Sequence, residues 1–235
     1  MLKLSIIVPV FNEHETILEI LERIQDAHIG DGWAKEIIIV DNCSTDGTKD
    51  VLENYNAENV QVILKSENRG KGHSVRMAIP LCTGLYTITQ DADLEYNPAD
   101  YFKLLDHVLR YDLDVVYGSR VLGGKYYHYY RLNYWVVRGL TLLTNLCFGS
   151  KFTDVATNYK LVNTKLLQSL KLTCSGFDLD FEISNKLALS TDKIDEVPIS
   201  YVPRTYANGK KIGAIDGLRA LWVIVRDRLF SNIYG

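Results

Sequence analysis

The chain has 235 residues, 47% of them hydrophobic and 23% charged, a composition that excludes a disordered segment and suits one folded domain. Its formal net charge of −3 gives no global reason to expect nucleic acid as a partner. The four cysteines, Cys43, Cys82, Cys147 and Cys174, lie far apart with no CxxC pair. That argues against a zinc site or a disulfide framework and fits a reducing, cytoplasmic setting.

In chain order, residues 4–10 form an apolar run that ends in Asn12-Glu13, which reads as a buried strand and not as a signal peptide. Ile17, Leu18, Leu21 and Ile24 then fall on one helical face. Short β-rich runs follow at residues 36–40, 60–64, 85–89 and 114–117. A helix opens at Asn97-Pro98, a cap followed by proline, and turns Tyr101, Leu105 and Val108 inward. Repeated alternation of strand and helix predicts right-handed βαβ units and a mostly parallel sheet with helices on both faces.

The pattern changes after Arg120. Residues 124–149 are Tyr-rich and then apolar and helical. They are broken by Arg138 and Asn145, so they fall short of the roughly 18 uncharged apolar residues of a membrane span. An extended run at 158–162, helices near 164–170 and 178–189, and a strand at 193–201 come next. A basic loop at 203–211 leads into a last helix over 214–230. Its stripe of Ile215, Leu218, Trp222, Val225 and Leu229 is expected first as a core-packing face. A bilayer surface is the alternative, because arginines flank it. One domain over 1–235 with a C-terminal helical elaboration is the expected organisation.

Ligands of such sheets bind beyond the carboxyl ends of the strands. Here those ends are Asn12-Glu13, Asp41-Asn42-Cys43-Ser44, the stretch Asn68-Arg69-Gly70-Lys71-Gly72, Gln90-Asp91-Ala92-Asp93 and Gly118-Ser119-Arg120. Asp91, Asp93 and Glu95 alternate, and three carboxylates so placed repel one another unless a cation sits among them. Hard oxygen ligands suit Mg2+ or Mn2+ on a diphosphate. A carboxylate closing a buried strand, as Asp41 does, wants a donor such as a nucleobase N–H or a ribose hydroxyl. Ser44 or Thr45 is expected to cap the helix that follows. The Gly70-Lys71-Gly72 turn is not a Walker A sequence, yet two glycines at a helix start can place N–H groups near an anion, with Lys71 or Arg69 adding charge. Arg120, Arg131, Arg204 and Lys210, in loops of the second half, suit phosphate oxygens; plain solvation is the competing reading.

Taken together, these stretches resemble family 2 glycosyltransferases of the GT-A fold, in the branch that includes dolichol-phosphate mannose and glucose synthases. The resemblance rests on residues 6–13, on Ile39-Val40-Asp41 with Ser44-Thr45-Asp46-Gly47-Thr48, and on Asn68-Arg69-Gly70-Lys71-Gly72. It continues through residues 90–98, Gly118-Ser119-Arg120, Thr153-Asp154, Tyr159-Lys160 and Glu196-Val197-Pro198-Ile199. It implies that Pro9, Phe11, Glu13 and Asp41 line a nucleoside pocket, with residues 1–120 as the nucleotide-sugar half. Asp91 and Asp93 would hold Mg2+ or Mn2+, with Glu95 where relatives often carry Gln. Arg120, Arg131 and Arg204, with Lys210, would bind an acceptor phosphate or the donor diphosphate, making 121–235 the acceptor half. Asn42, Cys43 and Asn158 depart from the pattern, standing where relatives carry Asp, Gly and Gly.

The implied reaction is inverting transfer from a GDP- or UDP-sugar to a polyprenyl phosphate, met at a membrane surface without an anchor in the chain. Transfer to a glycan or glycolipid hydroxyl is the alternative and would need a base; Asp178, Asp180 and Glu182 are candidates. Further alternatives are a sugar-nucleotide-binding protein without turnover and a nucleotidyltransferase.

Overall fold

A computed structural model of the chain describes residues 1–123, 131–204 and 214–230. The first apolar run becomes β1 (Leu2–Val10), whose residues from Leu4 onward are all buried. A strand buried on both faces belongs in the middle of a covered sheet. There it pairs in parallel with β2 (Trp33–Asp41) and with β4 (Tyr86–Thr89). Completed by β3 (Val60–Leu64), β5 (Val115–Ser119), β6 (Lys160–Asn163) and β7 (Ile194–Pro198), the seven-stranded sheet has the order β3-β2-β1-β4-β6-β5-β7.

The sequence pattern anticipates the parallel pairs. It does not anticipate that β6 inserts antiparallel between β4 and β5. Because β6 runs backwards, its start, not its end, reaches the edge where the other strands finish. Asn158 and Lys160 are thereby delivered beside the ends of β4 and β5, with Lys160 opposite Tyr117.

Alternate residues of β1 feed two cores. Leu4, Ile6 and Val8 pack with α1 (Ile17–Asp26) and α4 (Tyr101–Arg110), and Ile7 faces the other side. That second side holds α3 (Lys71–Ala78), α5 (Arg131–Phe148), α6 (Thr164–Ser169), α7 (Leu179–Ser190) and α8 (Ala214–Leu229). The short α2 (Thr48–Glu53) follows β2. Its N-cap is Gly47, not Ser44 or Thr45 as expected, and the Asp46 carboxylate accepts from Thr48 N. Ser44 is drawn away to accept from Asn12 N. Asn97 does cap the 3-10 turn leading into α4, accepting from Ala99 N.

The expected core face of α8 is corrected. Ala220, Val223, Ile224 and Asp227 point inward, and Ile215, Leu218, Trp222, Val225 and Leu229 point out. The helix is apolar on both sides, so periodicity alone cannot say which stripe is covered. Its inner side is fixed by polar contacts: Arg226 Nη2 donates to Glu182 on α7 at 2.9 Å and Asn185 Nδ2 donates to Asp227 at 3.0 Å. No helix among the described residues is long and apolar enough to cross a membrane.

Glu182 ties this layer together. Fully buried, it accepts from Thr173 N at 2.9 Å and Cys174 N at 2.8 Å and pairs with Lys186 and Arg226. Burial alone would raise its pKa, but the Cys174 and Thr173 donors and Lys186 outweigh that and bring it down to about 2. This explains why Glu182, one of the three candidate bases, is fully engaged elsewhere.

Replacing Glu182 with Ala removes a carboxylate from buried Lys186 and leaves Arg226 with that of Asp227, and is expected to cost about 3–5 kcal/mol in urea unfolding. Since its folded pKa lies below the ordinary 4.5, its stabilisation is complete above that pH and lost on acidification toward about 2. The wild type should therefore lose more stability than Glu182→Ala between pH 7 and pH 3.

Candidate functional site

The ends of β1, β2, β4 and β5 meet on one edge of the sheet, and the register places Val10 beside Asp41. Asp41 is completely buried. Its Oδ2 accepts from Ser44 N at 3.0 Å, and its Oδ1 has no hydrogen-bond partner among the described residues. A buried carboxylate oxygen left so is costly unless something outside the chain donates to it. Next to it, Asn42 bridges β2 to the glycine turn: Oδ1 accepts from Lys65 Nζ at 2.5 Å and Arg69 N at 3.1 Å, and Nδ2 donates to Asn68 at 2.6 Å. The amide of Asn42 both donates and accepts here, which an ionised aspartate could not do. Cys43 adopts φ 65°, a left-handed backbone where glycine is the easier fit.

Pro9 is buried within β1, and Phe11 and Glu13 are half-buried just beyond it. The Glu13 carboxylate pairs with Arg204 Nη1 at 2.9 Å, joining the end of β1 to the segment after β7.

The turn after β4 carries the carboxylates, and the three are treated differently. Asp91 is paired with Lys71 Nζ at 2.7 Å. Glu95 is turned away: it accepts from Tyr201 Oη at 2.8 Å and Arg204 N at 2.5 Å. Of the three expected metal-binding carboxylates, Glu95 is thus the one already met by donors from 201–204. No set of three His, Cys, Asp or Glu side chains is gathered for a metal among the described residues. Among the described residues, no cation stands at contact distance from Asp93. Burial, then Asp91 and Glu95, push its pKa up to about 7. Leu94, at φ 62°, holds Asp93 and Glu95 on either side of a strained turn.

Beneath the turn, Tyr96 Oη accepts from Asn158 N at 3.1 Å, and Gln90 Oε1 accepts from Tyr101 Oη at 2.6 Å and from Tyr159. Asn158 Oδ1 in turn accepts from Lys71 Nζ at 3.2 Å. Lys160 is buried and pairs with Asp180 at 2.9 Å, and burial lowers its pKa against the pull of Asp180. The rule of strand ends does not reach Asn158, Lys160 or Asp180 and gives Gln90 no supporting role. The signals for them lie elsewhere, in the Tyr159-Lys160 motif, in the departure at Asn158 and in Asp180 as a candidate base.

The glycine turn is packed against a second stretch of backbone. A Cβ on Gly70, at φ 89°, would lie 2.3 Å from the Ser175 carbonyl oxygen, and one on Gly72 would lie 2.7 Å from that of Gly176. His73 N donates to Ser175 O at 3.1 Å and Gly70 N to Asn68 Oδ1 at 3.0 Å. The glycines allow two backbones to touch, and that contact aims Lys71 at Asp91. Arg69 pairs with Glu67 at the surface.

Arg120 is engaged within the fold. Its fork closes on buried Asp154, Nε–Oδ2 2.7 Å and Nη2–Oδ1 2.8 Å, and its N–H donates to the same group. Arg120 holds Asp154 well below the usual carboxylate range in spite of burial. Its guanidinium also lies over the Tyr201 ring at 5.1 Å. Arg131 opens α5, but its side chain lies outside the described residues, and so does Lys210.

Residues 5–171 match the model of glycosyl transferase family 2, and the chain belongs to that family. It is 30% identical over 200 residues to glycosyltransferase AglJ of Haloferax volcanii, a match covering 85% of this chain and 63% of that protein. It is 27% identical over 241 residues to the undecaprenyl-phosphate mannosyltransferase of Micrococcus luteus, covering 95% and 97%. With the dolichol-phosphate mannosyltransferase of Pyrococcus furiosus it shares 26% over 216 residues, covering 90% and 60%. The chain therefore spans less than two thirds of AglJ and of the Pyrococcus protein. Glucosyl-3-phosphoglycerate synthase of Mycobacterium tuberculosis in complex with UDP has the same fold, with TM-score 0.70, 18% identity, and coverage of 96% and 80%. The sheet with its helical C-terminal part is thus a GT-A fold, as the resemblance implied.

Two substitutions check the local geometry. Gly72→Ala drives a methyl into a carbonyl and is expected to cost about 1–3 kcal/mol by chemical denaturation. Cys43→Gly relieves the left-handed backbone and is expected to be neutral or to stabilise by up to about 1 kcal/mol, whereas Cys43→Val should destabilise.

Proposed function

We propose that this chain is a metal-dependent glycosyltransferase that moves a sugar from a nucleoside diphosphate to a polyprenyl-phosphate-type lipid, with inversion at the anomeric carbon. The observation that carries the reading is Asp93: a half-buried carboxylate pressed against Asp91 and Glu95, in a place that a cation relieves. Asp91 and Asp93 offer hard oxygen atoms that fit Mg2+ or Mn2+, and with only these two from the chain the remaining ligands would come from the donor diphosphate. Such an ion supplies charge neutralisation on the departing diphosphate.

The chain's own groups divide the rest of the work. Asp41 Oδ1 is a buried acceptor that a nucleobase or ribose donor would satisfy, and the end of β1 with Pro9, Phe11 and Glu13 runs alongside in register. Lys71 balances Asp91 before the donor arrives and is within reach of phosphate afterwards. Arg204 fixes Glu13 and lowers the cost of ionising Asp93. Arg120 is a positioning group that holds Asp154 at the end of β5, and Arg131 and Lys210 are proposed to meet the acceptor phosphate. Residues 1–120 thus serve the donor and 121–235 the acceptor. An acceptor phosphate oxygen attacks the anomeric carbon as its bond to the diphosphate breaks, and the nucleoside diphosphate leaves with the electron pair.

A phosphate acceptor is favoured over a hydroxyl because the candidate bases are engaged. Glu182 is locked in the core, Asp180 pairs with Lys160 and Asp178 accepts from Gly176 N. A phosphate is already anionic and needs no base. The names of the Micrococcus and Pyrococcus relatives support the same class of acceptor.

A panel of UDP-, GDP- and dTDP-sugars with Mn2+, with and without polyprenyl phosphate, tests the proposal by release of nucleoside diphosphate. At least one donor should react, Asp93→Ala should lower turnover by about 100-fold or more, and Arg131→Ala should remove transfer to the lipid phosphate. No release from any donor would sink the enzyme reading. Asp93 must also ionise to hold the cation, so Mn2+ affinity should fall about tenfold per pH unit below its pKa of about 7. The raised pKa means that, without a cation, stability declines as pH climbs from about 4 to about 7. The gain in Tm on adding Mn2+ should therefore be larger at pH 8 than at pH 6.

A further inference from the structure

We infer that the outward faces of α5 and α8 form one docking surface for a lipid bilayer with anionic headgroups. The inference rests on the lipid-phosphate reading of the site and adds the surface by which the chain would reach such an acceptor. Trp135, Leu142 and Leu146 on α5 and Leu218, Trp222 and Leu229 on α8 are each 60–74% exposed. On α8 the spacing of 218, 222, 225 and 229 makes a continuous stripe with no charged residue in it. Large apolar side chains displayed in a row mark a contact surface. The two helices pack side by side: a Cβ on Gly217 of α8 would lie 3.7 Å from Val136 of α5, so their outer faces adjoin.

The chemistry selects the occupant. Two of the three tryptophans of the chain stand on this surface, and tryptophan favours the level of lipid headgroups. The acidic side chains of α8 are withdrawn, Asp227 buried and Asp216 half-buried, while Arg219 and Arg228 are exposed beside the stripe. An apolar stripe edged by exposed arginine matches an anionic bilayer better than it matches a second copy of the same positive face. The surface also adjoins the site. Arg138 of α5 donates to Thr153 O at 2.7 Å, next to the Asp154–Arg120 pair, and Arg219 lies beside Gly176, which abuts the Lys71 turn. A phosphate at headgroup depth would thus face the acceptor half.

Flotation of the full chain with phosphatidylcholine vesicles, with and without phosphatidylglycerol, tests this. Wild type should float with the anionic vesicles, and L218E/W222E should partition at least about tenfold more weakly. Those side chains are exposed, so the melting temperature and nucleoside diphosphate release in solution should not change. Absence of wild-type flotation, or equal flotation of the variant, overturns the inference. A dimer by light scattering that L218E/W222E dissolves, without vesicle binding, assigns the face to a second copy and overturns it too. Transfer to a short, water-soluble prenyl phosphate separates the two claims. If transfer persists without flotation, only the docking surface falls; if flotation persists without transfer, only the acceptor reading falls.

Discussion

The crowding of negative charge in the turn after β4 sets the terms for everything around it. Three carboxylates within five residues cannot all ionise in a partly desolvated place without compensation, and the fold compensates two of them. Asp91 receives Lys71, and Glu95 receives the Tyr201 hydroxyl and the Arg204 N–H. Asp93 is left with a pKa of about 7. The imbalance is local and specific, since Asp91 and Glu95 are met by donors of the fold while burial and these two neighbours raise the pKa of Asp93 between them. A turn with all three satisfied would be more stable.

Compensation has to be delivered with accuracy, and much of the second half of the chain does that. Lys71 reaches Asp91 only because Gly70 and Gly72 let the turn lie against the 175–176 backbone. That backbone is held by Arg76, whose Nη1 donates to the Thr173 and Cys174 carbonyls, and by Glu182, which takes the Thr173 and Cys174 N–H groups. Arg204 reaches Glu13 because Val202 N pairs with Glu95 O and brings the chain after β7 across the turn. Backbone contact, not long side chains alone, sets where the cations stand.

The sequence shows well which carboxylates reach the sheet edge and shows their supports poorly, for a physical reason. Asp41, Asp91 and Asp93 follow apolar runs that can only be buried strands, so their place at the sheet edge follows from topology. Asn158 precedes a strand and Lys160 opens it, and the same rule sends them to the wrong edge unless β6 is known to run antiparallel. Local spacing cannot reveal that direction. Arg120 illustrates a second limit, since a loop arginine looks free until its partner, Asp154, is placed 34 residues away. Gly70 and Gly72 illustrate a third: a glycine needed for backbone contact and a glycine needed for phosphate have the same letter.

α8 is where these limits matter most for function. Its two apolar stripes are indistinguishable by period, and the direction is decided by charges on the remaining positions. Asp227 must face Asn185 and Arg226 must reach Glu182, so the stripe of Ala220, Val223 and Ile224 goes inward and the tryptophan stripe stays out. The same Arg226–Glu182 contact also holds the loop that backs the Lys71 turn. The inner face of α8 is thus tied, through Glu182 and the 173–176 backbone, to the turn that carries Lys71. In this arrangement one buried ion pair serves both the attachment of the helix and the placing of that turn, which gives a reason for so polar a contact to sit in an otherwise apolar layer.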